Sequence, residues 1–199
     1  NEIDKLILRD STVFRVYDKS DGSTKASYFH NSIGGYHAAK MRRFNELIQF
    51  HIDKGNLEVF NMLNTKYIIY SNENGQLQYF ENEQINGNSW FVETLKSVTD
   101  ADAEINALYD FNSKSTAIIN ANSRPDKIFK RDSTASIKLV RYAPNKLIYK
   151  SNNLNDGFAV FSENFYCNGW ESSIDGVKVP HQNVNYILRG LEIPKGNHE

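Results

Sequence analysis

The last third of the chain is punctuated by turn signals about every ten residues, a spacing typical of all-β modules. Ile137–Tyr142 and Lys146–Ser151 flank Pro144-Asn145, and Phe158-Ala159-Val160-Phe161 is a continuous apolar run. Trp170–Ile174 and Val177–Val179 flank Asp175-Gly176, a dipeptide favoured in two-residue hairpin turns. Tyr186–Ile193 then stops at Pro194. Such short runs cannot build a helix bundle, and they predict an antiparallel β-sandwich of jelly-roll-like form.

Upstream the pattern is mixed. Val13–Tyr17 reads as a strand that ends in the polar loop Asp18–Ser23. Tyr36, Ala39, Phe44, Leu47, Ile48, His51 and Ile52 recur at helical spacing, with Lys54-Gly55 as the stop. Leu57–Leu63 reads as a short helix and Lys66–Tyr70 as a strand. Asn74-Gly75 reads as a type I′ turn leading to Leu77–Phe80. Trp90–Val98 reads as one strand, Thr99 and Asp102 as a capping box before a helix over Ala103–Tyr109, and Thr116–Asn120 as a strand. The expected fold class is α+β: a small α/β subdomain over residues 1–124, then the β-sandwich over residues 125–199. The polar, proline-containing stretch Asn120–Ser136 marks the division. Asn1 at one end and the few residues after Pro194-Lys195-Gly196 at the other read as cuts in a longer chain, so the final strand is expected to be missing or short.

Composition narrows the function. A net charge of -1 removes the electrostatic basis for nucleic-acid binding. No run approaches the roughly 20 apolar residues that span a bilayer. The lone Cys167 rules out an intrachain disulfide and a cysteine-based zinc site. His37 and His51 lack the spacing of a helical metal pair, so neither metal nor cofactor is expected.

Three groups of residues invite a chemical role, and each has a plainer explanation. His30 and His37 flank Gly34-Gly35, with Tyr28 and Tyr36 alongside, as in a loop that offers backbone N–H groups to an anion. A tight turn explains the glycines equally well. Glu163 and Asp175 bracket Phe165, Tyr166 and Trp170 and have the residue types for glycoside hydrolysis, although Asp before Gly176 is explained by the turn. Trp90 and Trp170 can stack on sugars, but aromatics in strands more often fill a core, which is the expectation for both.

The motif order then points to a family. Phe161-Ser162-Glu163-Asn164-Phe165-Tyr166, Gly169-Trp170, Ile174-Asp175-Gly176, Val184-Asn185-Tyr186-Ile187-Leu188-Arg189 and Pro194-Lys195-Gly196-Asn197-His198 resemble the C-terminal portion of the YfhO family of bacterial membrane proteins. Tyr28–Arg43 and Asn61–Tyr67 look like members from Bacteroidetes, while Asn120–Ser136 is unmatched. Asn164-Phe165 and Cys167-Asn168 depart from the residues that relatives often carry before Gly-Trp.

The resemblance implies a polytopic inner-membrane protein similar to glycosyltransferases that use lipid-linked sugars. This chain would be its soluble part on the periplasmic or outer face. The implied partners are the membrane-embedded remainder of the parent and a glycan or lipid-linked sugar. No catalytic residue carries over. Glu163, Tyr166, Trp170, Arg189, His30, Tyr36 and His37 form the candidate ligand-binding set. Three readings stand: an accessory or acceptor-glycan-binding domain, a stand-alone carbohydrate-binding, adhesion or structural module, and a hydrolase built on Glu163 and Asp175.

Overall fold

The alternating runs do become paired strands in the computed structural model, which describes residues 2–20, 25–34, 40–121, 125–130 and 132–199. The fold is α+β, with strands predominating over short helices. The first part holds α1 (Glu2–Ile7), β1 (Arg15–Asp18), α2 (Ala26–Phe29), α3 (Arg42–Leu47), α4 (Leu57–Met62), β2 (Thr65–Ser71) and β3 (Leu77–Glu81). Next come β4 (Ser89–Val92), β5 (Thr94–Val98), α5 (Ala101–Ala107), β6 (Thr116–Asn120) and β7 (Lys127–Ile128). The remainder is all strand: β8 (Ser136–Ala143), β9 (Lys146–Asn153), β10 (Gly157–Asn164), β11 (Ser172–Ile174) and β12 (Val177–Val179). It ends with β13 (Gln182–Val184), β14 (Leu188–Ile193) and β15 (Gly196–His198).

The organising element is β10, which lies inside a four-stranded sheet ordered β13-β14-β10-β4. Phe158 and Val160 point from one face of β10 into the main core, while Ala159 points into a second cluster on the opposite face. That second cluster joins Ala159, Leu191 and Ile193 to Ile137, under the three-stranded sheet β15-β9-β8. These two sheets form the sandwich. On the other side, β5, α5 and β6 form a parallel strand-helix-strand unit, and β1 pairs in parallel with β2. Packing crosses the 124/125 division, because β4 pairs antiparallel with β10 and one core extends from Ile33 to Leu188.

Several expectations need correction. Trp90–Val98 is not one strand: the chain turns at Glu93, and β4 and β5 join different sheets. The Glu93 N–H donates to Ser115 O and its carbonyl accepts from Phe129 N–H, which fixes the bend. Phe129 is itself buried, so the stretch read as a boundary contributes a strand and a core residue. The described part of the long helix starts at Arg42 and widens into a π-helical turn over Ile48–Ile52. There His51 is fully buried, with its Nε2 2.9 Å from Ile105 O on α5. Tyr36 and Ala39, assigned to that helix, lie outside the described residues. The cap of α5 is Asp100 rather than Thr99: Asp100 Oδ1 accepts from Ala103 N–H at 2.8 Å.

The loop over residues 72–76 is longer than a type I′ turn, with Gly75 at φ +73° and Asn72 Oδ1 accepting from Asn74 and Gln76 N–H. Asp175 and Gly176, by contrast, take φ 51° and 81°, as a type I′ turn demands. The strand expected over Tyr186–Ile193 begins at Leu188, because Asn185 and Tyr186 both take positive φ, at 50° and 73°. The residues after Pro194 form a short strand, as one of the two expected outcomes had it: β15 is three residues long and pairs with β9.

Candidate functional site

The sandwich leaves a cavity of about 550 Å³ between the inner face of β14 and β10, strand β9 and the β11–β12 hairpin. Strand alternation decides what faces it. Residues 189, 191 and 193 of β14 share one face, so Arg189, Leu191 and Ile193 line the floor with Phe161 of β10. Tyr149 of β9 forms one wall, its ring edge-on to Phe161 at 4.8 Å. The loop before β11 brings Trp170 to the rim, where the Arg189 guanidinium lies 4.6 Å from the indole ring. Ser172 Oγ and His181 Nδ1 are 3.0 Å apart, and His181 also stands edge-on to Phe165. A hollow of this size that mixes apolar walls with converging polar groups has the character of a small-ligand site.

Charge states follow from the surroundings. Burial, and next the Glu163 charge, push the Tyr149 phenol far above its ordinary range, so at neutral pH it is a hydrogen-bond donor. Burial lowers His181, helped by the Arg189 charge, which leaves a neutral imidazole. Burial also lowers Arg189. At the open end, His198 Nδ1 and Asp175 Oδ2 are 2.7 Å apart, which ties β15 to the hairpin turn.

That tie gives a testable pH dependence. The hydrogen bond that the His198 ring donates to Asp175 raises His198 above the ordinary 6.5. A raised folded-state pKa means that the contribution is complete below the unfolded value and is lost as pH rises through the folded one. An NMR titration of the His198 ring is expected to show a midpoint above 6.5, returning towards that value in Asp175→Asn. A midpoint at or below 6.5 in the unaltered protein would contradict the tie.

The structure divides the candidate set. Trp170 and Arg189 meet in the cavity. Trp170 is half-buried at its rim instead of filling the core, whereas Trp90 is buried and donates Nε1–H to Ser113 O. Tyr166 is exposed, its ring laid over Gly169, where a Cβ would come within 2.4 Å of it. Glu163 sits where the β10–β14 register slips between Phe161 and Asn164, and it accepts from Arg15 Nη2 at 3.1 Å. It lines a separate cleft, shared with His30. His30 is itself engaged, with Nε2 3.0 Å from Asp4 Oδ1. Tyr36 and His37 lie outside the described residues.

Glu163 and Asp175 therefore face different hollows, and each is held by a basic partner. They do not form the facing acid/base pair that glycoside hydrolysis requires. Tyr149, Phe161 and His181 were missed from the sequence. The only signal for them was alternation along β9 and β10, which tells faces apart but does not show which face is hollow.

Compared with known protein families, curated proteins and solved structures, the chain matches none. The site stands on its own geometry. Among the described residues no helix is long and apolar enough to cross a membrane, and no three His, Cys, Asp or Glu side chains gather as metal ligands would.

Proposed function

We propose that this chain is a glycan-binding accessory domain that receives one sugar unit in the cavity beside Trp170. The observation that carries the reading is the cavity itself, with aromatic residues at wall, floor and rim (Tyr149, Phe161, Trp170) and hydroxyl and imidazole groups at Ser172 and His181. Aromatic side chains offer apolar faces for the C–H side of a pyranose, and the polar groups suit its hydroxyls. The resemblance of Phe161–His198 to the YfhO family supplies the setting: the extracytoplasmic part of a polytopic membrane protein akin to lipid-linked-sugar glycosyltransferases, with this domain gripping acceptor glycan.

The test is a glycan array followed by calorimetry on the hits, with Trp170→Ala as the control. Removing an aromatic anchor at the site is expected to weaken binding by about tenfold or more. The variant should stay folded with only a small drop in melting temperature, because Trp170 belongs to none of the three buried clusters and gives up only its contact with Arg189. No binding to any glycan, or binding indifferent to Trp170, would leave a structural or adhesion module as the better reading.

A further inference from the structure

Among the described residues, the arginines drawn into the interior are satisfied by oxygen acceptors, except Arg189. Arg15 donates to Leu63 O at 2.9 Å and to Glu163 Oε1 at 3.1 Å. Arg43 donates to Glu104 Oε2 at 3.0 Å and to Tyr186 O at 2.9 Å. Arg189 is only 8% exposed, yet among the described residues its guanidinium donates to nothing, and its Nε is buried without a partner. The face of Trp170 offsets part of the lost hydration but fills none of the donor positions.

Nearby charges do not remove the imbalance. Glu163 and Arg15 both act on Arg189 through space, and the Glu163 carboxylate is already bonded to Arg15. Two guanidinium groups thus share one carboxylate, and a positive charge is left facing the hollow. Tyr149 lines the same cavity, and its hydroxyl stays protonated and has no protein acceptor among the described residues. A buried cation with its fork unfilled beside a second free donor is arranged for an oxyanion.

The geometry points to an anion site: Arg189, assisted by the Tyr149 hydroxyl, binds the carboxylate or phosphate of an acidic ligand. The sugar part of that ligand rests on the glycan reading, and the anion part rests on Arg189 alone.

The experiment is calorimetry on the whole chain with methyl glucoside, methyl glucuronide, glucose 6-phosphate and inorganic phosphate. At least one acidic sugar is expected to bind about tenfold or more tightly than methyl glucoside. Which one does so tells a carboxylate from a phosphate. Arg189→Gln should weaken that acidic sugar by about 30-fold and methyl glucoside by a much smaller factor. Tyr149→Phe, which keeps the ring, should weaken it by roughly fivefold. The acidic sugar should also raise the melting temperature of the unaltered protein and not that of Arg189→Gln. The apo form of Arg189→Gln should be no less stable than the unaltered protein, since a lone buried cation has been removed.

Equal binding of acidic and neutral sugars, or full binding by Arg189→Gln, would overturn the anion site and leave the glycan reading standing. Inorganic phosphate binding as tightly as glucose 6-phosphate, and depending on Arg189, would uphold the anion site against the glycan reading. Binding of no probe would overturn both.

Discussion

Glu104→Ala is expected to lower the unfolding free energy by about 3 kcal/mol or more, the scale for breaking one side of a buried ion pair. Glu104 is fully buried on α5. Its Oε2 accepts from Arg43 Nη1 at 3.0 Å, and its Oε1 accepts from Tyr186 N–H at 2.9 Å. Arg43 also donates to Tyr186 O and lies over the Tyr186 ring at 4.6 Å. The Tyr186 hydroxyl, pushed up to about 12 by burial and by its bond to Glu46, remains a donor.

All of this holds a tyrosine at φ 73°, in a region where a bulky side chain is strained by about 1–3 kcal/mol. Alanine at 104 would leave a buried N–H without an acceptor and release that strained turn. The Arg43 side chain is 35% exposed and keeps some hydration, so the lower end of the range applies. Glu104→Gln retains an acceptor for Tyr186 N–H and should lose about half as much. Denaturant titration measures both, and a change below about 1 kcal/mol for Glu104→Ala would show that the knot is dispensable.

The second large effect concerns Phe158, fully buried at the start of β10 with its ring centroid 5.9 Å from that of Phe129. Phe158→Ala is expected to cost about 3–5 kcal/mol through lost burial and the remaining void. The partner of this ring is a glycine. A Cβ on Gly190 would stand 2.4 Å from Phe158 Cζ and 3.1 Å from Val184 Cγ1. Gly190 is therefore small to make room for a ring, and Gly190→Ala alone should cost about 1–3 kcal/mol by overpacking. The two changes should couple. In the Phe158→Ala background the added methyl meets an emptied space, so the double variant is expected to be more stable than the sum predicts by roughly 1 kcal/mol or more. Strict additivity would show that the two residues do not share that space.

What could be read in advance had local causes. Asp175-Gly176 demands its turn whatever surrounds it, and Pro144-Asn145 separates β8 from β9 as expected. Trp90–Val98 failed because nothing within it breaks an apolar strand: the bend at Glu93 is imposed by Ser115 and Phe129, both distant in sequence. The strained Asn185-Tyr186 turn was hidden for a similar reason. Ile118 N–H donates to Asn185 Oδ1 at 2.7 Å, and Glu104 supplies the rest, so the turn is stabilised from other elements. Arg189 and Trp170 entered the candidate set through a resembling motif. Their meeting in one hollow depends on the hairpin folding back over β14, which no local pattern encodes.

The pairing of β4 with β10 also bears on synthesis. A ribosome delivers Ser89–Val92 long before their partners Phe158–Phe161, so β4 leaves the exit tunnel with an unpaired edge beside the buried side chains Trp90 and Val92. Contacts so distant along the chain form slowly, and the half-made sheet invites pairing with other nascent chains in the interval. The first residues of β10 to emerge are also those that end this exposure, so the cavity floor and the safety of the nascent chain depend on the same strand.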